Sequence, residues 1–266
     1  MSVVLLETAP DGVATVTLNR PEIGNAYNGA MLEALIDGLE RLAAAPGLRA
    51  LVLRGAGKHF QAGADINWLA AATRDPPGRN YAASVATTKA MQRLNEFPHP
   101  TIAVIHGACF GGGAGLACCV DVALATPAAR FGITEVRVGV APTPISTHMV
   151  NAIGLRQTRR YALTGEAFDA AEALRIGLVH EVVAAEAVEA RLAAILEAIR
   201  RGAPGAVALT KRSFLAANGL TLDAGAIATL AREGAAQRET AEAREGTDAF
   251  RARRDPPWFR RAPQPC

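Results

Sequence analysis

The chain has 266 residues and a formal net charge of +3; half of its residues are hydrophobic and only 5% aromatic. That is enough apolar material for a sizeable core in one or two domains. The mild basicity suits a polyanionic small molecule and falls short of the basic, aromatic-interleaved patch that nucleic-acid binding requires, so nucleic acid is not an expected partner.

Residues 1–6 carry neither a basic leader nor a long apolar run, so the expectation is a cytoplasmic chain without signal peptide or membrane helix. Val13–Leu18 alternates between two faces and reads as a strand ended by Asn19-Arg20-Pro21. Met31, Leu32, Leu35, Leu39 and Leu42 recur at helical spacing up to Pro46-Gly47. A short apolar strand over 50–53 runs into a turn with Gly55 and Gly57. A loop holding Pro76-Pro77-Gly78 precedes a helical stretch over 81–97, which stops before Pro98 and Pro100. Residues 101–105 form a buried strand leading to Gly107 and the triplet Gly111-Gly112-Gly113, where a helix opens and runs through Cys119. A strand over 121–125 and a strand-like apolar run over 131–140 follow. Helical patterns cover 146–153 and 170–176, a strand 178–183, and helix dominates from Glu186 onward. Alternating strands and helices followed by helices alone predict an α/β fold, with a core over 1–203 and a helical region over 204–266.

Cys109, Cys118, Cys119 and Cys266 form no C-x-x-C pair and have no histidine at zinc-finger spacing. They read as reduced thiols, two of them adjacent in an apolar run. His59, His99, His106 and His180 show no metal-ligand spacing, and no metal site is expected. The basic end, with Arg251, Arg253, Arg254, Arg260 and Arg261, reads as a solvated tail or a subunit contact.

Two glycine-containing turns each follow a predicted strand: Phe60-Gln61-Ala62-Gly63-Ala64-Asp65 and Gly111-Gly112-Gly113-Ala114-Gly115. Glycines let backbone N–H groups converge on a ligand, and a helix N-terminus favours negative charge there. Two amides aimed at one point form an oxyanion hole; the plain alternative is tight packing alone. Dinucleotide binding fits poorly, because Phe60 stands where the third glycine of G-x-G-x-x-G would fall after Gly55-x-Gly57, and Arg130 stands near the distance of the ribose-binding acid. Glu135 is a carboxylate within an apolar run, and burial would raise its pKa and suit it to proton transfer; a surface or capping glutamate is the plain alternative. Asp65 is placed to cap the helix that follows it.

The segments Leu18-Asn19-Arg20-Pro21, His59-Phe60-Gln61-Ala62-Gly63-Ala64-Asp65, Gly107-Ala108-Cys109-Phe110-Gly111-Gly112-Gly113 and Phe131-Gly132-Ile133-Thr134-Glu135 resemble, in order and spacing, the crotonase (enoyl-CoA hydratase/isomerase) superfamily. So do Leu163-Thr164-Gly165, Ala170-Ala171 and Gly177-Leu178-Val179. The resemblance implies a spiral of ββα repeats with a C-terminal helical region used for assembly into a homotrimer or a dimer of trimers. It implies an oxyanion hole from the N–H groups of Ala64 and Gly112, and Glu135 as catalytic acid/base. It further implies CoA and substrate binding by Ala62, Ala64, Asp65, Ile66, Asn67, Gly111 and Gly112. No cofactor is implied, since coenzyme A enters as part of the substrate.

Two positions depart from the family pattern. Gly115 stands where two-glutamate hydratases carry their second glutamate, and Pro142-Thr143-Pro144-Ile145-Ser146 follows Glu135 in place of a glycine-rich turn. Both resemble a branch with methylglutaconyl-CoA and isohexenylglutaconyl-CoA hydratases. The implied reaction is hydration of a 2-enoyl-CoA, branched or carboxylated; the alternatives are Δ3,Δ2-enoyl-CoA isomerisation and a weakly catalytic CoA- or RNA-binding scaffold. Ser146, Thr147 and His148 are candidates for positioning water, with helix packing as the plain reading, and Trp68 and Leu69 for lining the pocket.

Overall fold

The computed structural model describes residues 2–258; Arg260, Arg261 and Cys266 lie outside the described residues. The strands are β1 (Val4–Thr8), β2 (Val13–Leu18), β3 (Ala50–Gly55), β4 (Thr101–Ile105), β5 (Ala108–Phe110), β6 (Val122–Ala125), β7 (Arg130–Gly132), β8 (Ala167–Asp169) and β9 (Glu181–Val182). The helices are α1 (Gly29–Ala43), α2 (Ile66–Ala72), α3 (Pro77–Asn95), α4 (Gly112–Cys119), α5 (Ser146–Thr164), α6 (Ala170–Arg175), α7 (Val188–Arg201), α8 (Pro204–Ala217), α9 (Ala224–Arg238) and α10 (Ala241–Arg251).

The strands form two sheets. The larger runs β1-β2-β3-β4-β6-β9, antiparallel only between β1 and β2; the smaller runs β5-β7-β8. Each turn of chain leaves one strand in each sheet and then a helix: β4, β5, α4, then β6, β7, α5. An isolated bridge between Gln61 and Cys109 adds β3 and α2 as an earlier turn of the same kind. This is the expected ββα spiral.

The central strands are buried on both faces, which is why they read as unbroken apolar runs. Leu51, Leu53, Ala103 and Ile105 face the main core with Leu35 and Leu39 of α1. Val52, Ile102 and Val104 point the other way, under Leu192 and Leu196 of α7. That alternation is the two-residue period of a strand, and each such large side chain contributes roughly 1.5–3 kcal/mol on burial.

Four boundaries differ from the sequence reading. α3 begins at Pro77 rather than at 81, since a proline fits the first turn of a helix, where its missing N–H has no partner to lose. The strand expected over 178–183 shrinks to Glu181–Val182, because the chain after α6 turns back through Gly177 (φ +84°) and Leu178 N–H donates to Ala173 O at 2.8 Å. The helix from Ser146 runs to Thr164 with a break at Gly154 (φ +72°, ψ 155°). Finally, the run holding Glu135 is not a strand: β7 stops at Gly132, and Glu135–Val138 is a single 3-10 turn closed by Gly139 in the left-handed region (φ +69°). β1 was not anticipated at all.

The C-terminal helices return to the core. α9 packs along α3, while α10 packs against α2 and the Glu135–Val138 turn. No helix among the described residues is long and apolar enough to cross a membrane.

Candidate active site

Three loops converge on a cavity of about 590 Å³, a size ordinary for a small-molecule site. The first loop, 61–65, is fixed by fully buried Gln61, whose Nε2 donates to Gly63 O and whose Oε1 accepts from Gly63 N–H, both at 2.8 Å. Tyr27 N–H donates to Gly63 O at 3.0 Å and Tyr27 O accepts from Asp65 N–H at 2.8 Å. This pairing uses the amides on either side of Ala64 and leaves the Ala64 N–H without an acceptor among the described residues.

The second loop ends in α4. Gly111 N–H donates to Gly132 O at 2.8 Å, and Gly111 takes φ +53°, ψ −119°, a conformation costly for any residue with a Cβ. The helix then opens at Gly112, whose N–H is one of the unpaired amides of a helix start and donates to no described group. The approach here is close: a Cβ on Gly112 would overlap Tyr27 Cε1.

The third loop carries Glu135. A Cβ on Gly111 would stand 2.9 Å from Glu135 Oε1, so the glycine is what admits the carboxylate. Glu135 Oε2 is buried with no hydrogen-bond partner. Burial pushes this carboxyl up to about 7, against a smaller opposing pull from a backbone hydrogen bond. A group poised there can accept a proton in one step and return it in the next near neutral pH.

Ala62, Ala64, Ile66, Gly111, Gly112 and Glu135 therefore line one cavity, as does Leu69. Asp65 and Asn67 do not. Asp65 Oδ1 caps α2 by accepting from Asn67 N–H at 3.0 Å, and its Oδ2 pairs with Arg20 at 3.0 Å, while Asn67 is exposed on the first turn of α2. Trp68 packs edge-on against Tyr27 rather than on the cavity. Ser146, Thr147 and His148 also stay off the cavity; Ser146 Oγ donates to Thr143 O, and His148 is buried with both ring nitrogens unpaired. Gly115 faces Ile145, whose Cγ2 fills the space a side chain at 115 would need.

Among the polar residues lining the cavity, Tyr27, Thr87, Arg137 and Arg238 went unnoticed in the sequence. The Tyr27 phenol is pushed up to about 12, first by burial and then by the Glu135 charge, with Arg238 and the Thr87 hydroxyl pulling the other way. Arg238, at the end of α9, is 5% exposed. Tyr27 lies beside an ordinary helix-capping signal, Asn28, and Arg238 in a helix with several other charges, so no local pattern set either apart. Among the described residues no cluster of three His, Cys, Asp or Glu side chains could hold a metal ion.

Comparison with known proteins gives matches over nearly the whole chain. The family model for enoyl-CoA hydratase/isomerase matches residues 8–261. The solved structure of AtuE from Pseudomonas aeruginosa is 41% identical with a TM-score of 0.78, covering 96% of this chain and 99% of that one. An enoyl-CoA hydratase structure from Mycobacterium avium is 33% identical with a TM-score of 0.84, covering 97% and 100%. The 2,3-dehydroadipyl-CoA hydratase of Escherichia coli is 30% identical over 258 residues, which are 95% of this chain and 97% of that protein. A match spanning nearly the whole chain, with the loop glycines and the carboxylate meeting in one cavity, leads to one assignment: the chain belongs to the enoyl-CoA hydratase/isomerase family.

Proposed function

We propose that this protein hydrates a 2-enoyl-CoA with a branched or carboxylated acyl chain, of the methylglutaconyl type, to the 3-hydroxyacyl-CoA. The observation that carries the reading is the meeting of two unengaged amides, Ala64 and Gly112, with one unpartnered carboxylate oxygen, Glu135 Oε2, in a single cavity.

The thioester oxygen accepts hydrogen bonds from Ala64 and Gly112 N–H, which makes the β-carbon electrophilic and holds the enolate charge once it forms. Glu135, as carboxylate, takes a proton from water while the water oxygen bonds to the β-carbon. The enolate then collapses and the α-carbon takes that proton back from Glu135. One water is added, and Glu135 ends as it began. Ala62, Ile66 and Gly111 shape the cradle for the CoA arm and thioester; Asp65 holds the loop, and Asn67 sits at its exposed edge. The reaction needs no metal or redox cofactor. We assign the protein to the cytoplasm as a homotrimer or a dimer of trimers, for which Leu209 and Phe214, 52% and 72% exposed on α8, supply apolar surface.

One observation favours a second reading. With Ile145 filling the space beside Gly115, Glu135 is the single acidic side chain lining the cavity among the described residues, and one carboxylate suffices to carry a proton between two carbons of a 3-enoyl-CoA. Product analysis after incubation with 2-enoyl-, 3-enoyl- and 3-methylglutaconyl-CoA separates the two. A gain of one water supports hydration, and an unchanged mass with a moved double bond supports isomerisation.

A further inference from the structure

Arg238 lines the cavity, is almost wholly buried, and forms no ion pair with any carboxylate among the described residues. Its Nε donates to Asn80 Oδ1 at 2.8 Å, and its Nη2 donates to Asn80 O and Ser84 Oγ. The Asn80 amide is itself held: Nδ2 donates to Ala235 O at 2.7 Å and to Glu239 Oε1 at 3.2 Å. One edge of the guanidinium is thus fixed by α3, while Nη1 donates to no described group.

A buried guanidinium with no carboxylate in contact is costly even with Glu239 held nearby on the same Asn80 amide, and neutral donors would satisfy Asn80 and Ser84 equally well. The arrangement becomes economical when an anion arrives with the ligand. We propose that Arg238 anchors a carboxylate at the far end of the acyl chain, so that the substrate class is the CoA monothioester of an unsaturated dicarboxylic acid. The assignment rests on reading the cavity as an acyl-CoA site.

Position supports it. Tyr27, Glu135 and Arg238 line the same cavity, and the Tyr27 phenol feels both charges. Glu135 stands against Gly111, beside the Gly112 amide, whereas the Arg238 guanidinium is held on α3 by Asn80 and Ser84. Pro144 and Ile145 make the neighbouring wall apolar, so a cation there selects for charge. A forked guanidinium also matches a carboxylate better than an ammonium does.

The test is calorimetric binding of two unreactive thioesters of equal chain length, adipyl-CoA and hexanoyl-CoA, to the full chain and to Arg238→Met and Arg238→Lys. The wild-type protein binds adipyl-CoA about a hundredfold more tightly. Arg238→Met loses that preference by weakening adipyl-CoA alone, and Arg238→Lys keeps part of it. Equal weakening of both ligands would mean a structural clamp or a contact to the CoA phosphates, and overturns the proposal. So does a wild-type protein without preference. Should Arg238→Met fail to fold, adipamoyl-CoA, the neutral amide analogue, bound as tightly as adipyl-CoA by wild type overturns it equally, and discrimination against the amide supports it. Neither ligand can be hydrated, so turnover is read separately: a binding preference with no hydration of 2,3-dehydroadipyl-CoA or 2-hexenoyl-CoA would count against the hydratase reading alone, while hydration of 2-hexenoyl-CoA without a binding preference would count against Arg238 alone.

Discussion

Ile145 Cγ2 occupies the space that a side chain on Gly115 would need. The two departures from the family pattern are thus one structural unit: the residue that displaces the second carboxylate comes from the loop after Glu135. Introducing Gly115→Ala alone overpacks this contact and costs about 1–3 kcal/mol. Combined with Ile145→Ala, the two costs are less than additive, with a coupling of about 1 kcal/mol or more. Denaturant unfolding of the four proteins of the cycle measures this, and strictly additive costs would mean that the pair is not in contact.

Glu135 trades stability for chemistry. Its folded pKa is raised to about 7 from an ordinary carboxyl value of 4.5, so the unfolded chain loses this proton first as pH rises. The protein is favoured below pH 4.5 and loses stability through pH 7, by an amount on the order of 3 kcal/mol. Glu135→Gln lacks that loss. It is expected to be more stable than wild type at pH 8, with the difference shrinking towards pH 4.5. Unfolding free energies of both proteins across that range check it.

His148 runs in the opposite direction. Burial lowers its pKa to about 4 from 6.5, and neither ring nitrogen has a partner. The unfolded chain gains this proton first as pH falls, so stability present above pH 6.5 is lost towards pH 4, again by on the order of 3 kcal/mol. His148→Leu removes the orphaned nitrogens and is expected to flatten the loss between pH 6.5 and 4. Thermal melts of both proteins at several pH values read it directly, and an unchanged acid limb would show that other groups control it.

What was legible in the sequence was what short-range chemistry dictates. Asp65 as a helix cap, Asn19-Arg20-Pro21 as a strand end and the apolar periodicity of α1 follow from local rules, and all three hold. The segment around Glu135 misled because Ile133, Val136, Val138 and Val140 suit a strand by composition, whereas Gly139 ends the turn and α10 packs against it. Tyr27 and Arg238 stayed hidden because their meaning lies in contacts across long sequence separations: Tyr27 with the 63–65 loop and Gly112, and Arg238 with Asn80 and Ser84. No residue next to either one signals those partners.

The account rests on Glu135 moving the proton. The direct measurement is the rate of oxygen-18 incorporation into 3-methylglutaconyl-CoA from labelled water, by wild type and by Glu135→Gln, with binding of the CoA thioester measured in parallel. The expected result is one labelled oxygen per product, formed about a thousandfold more slowly by Glu135→Gln, with affinity for the thioester retained. Labelled product formed by Glu135→Gln at the wild-type rate would contradict the account.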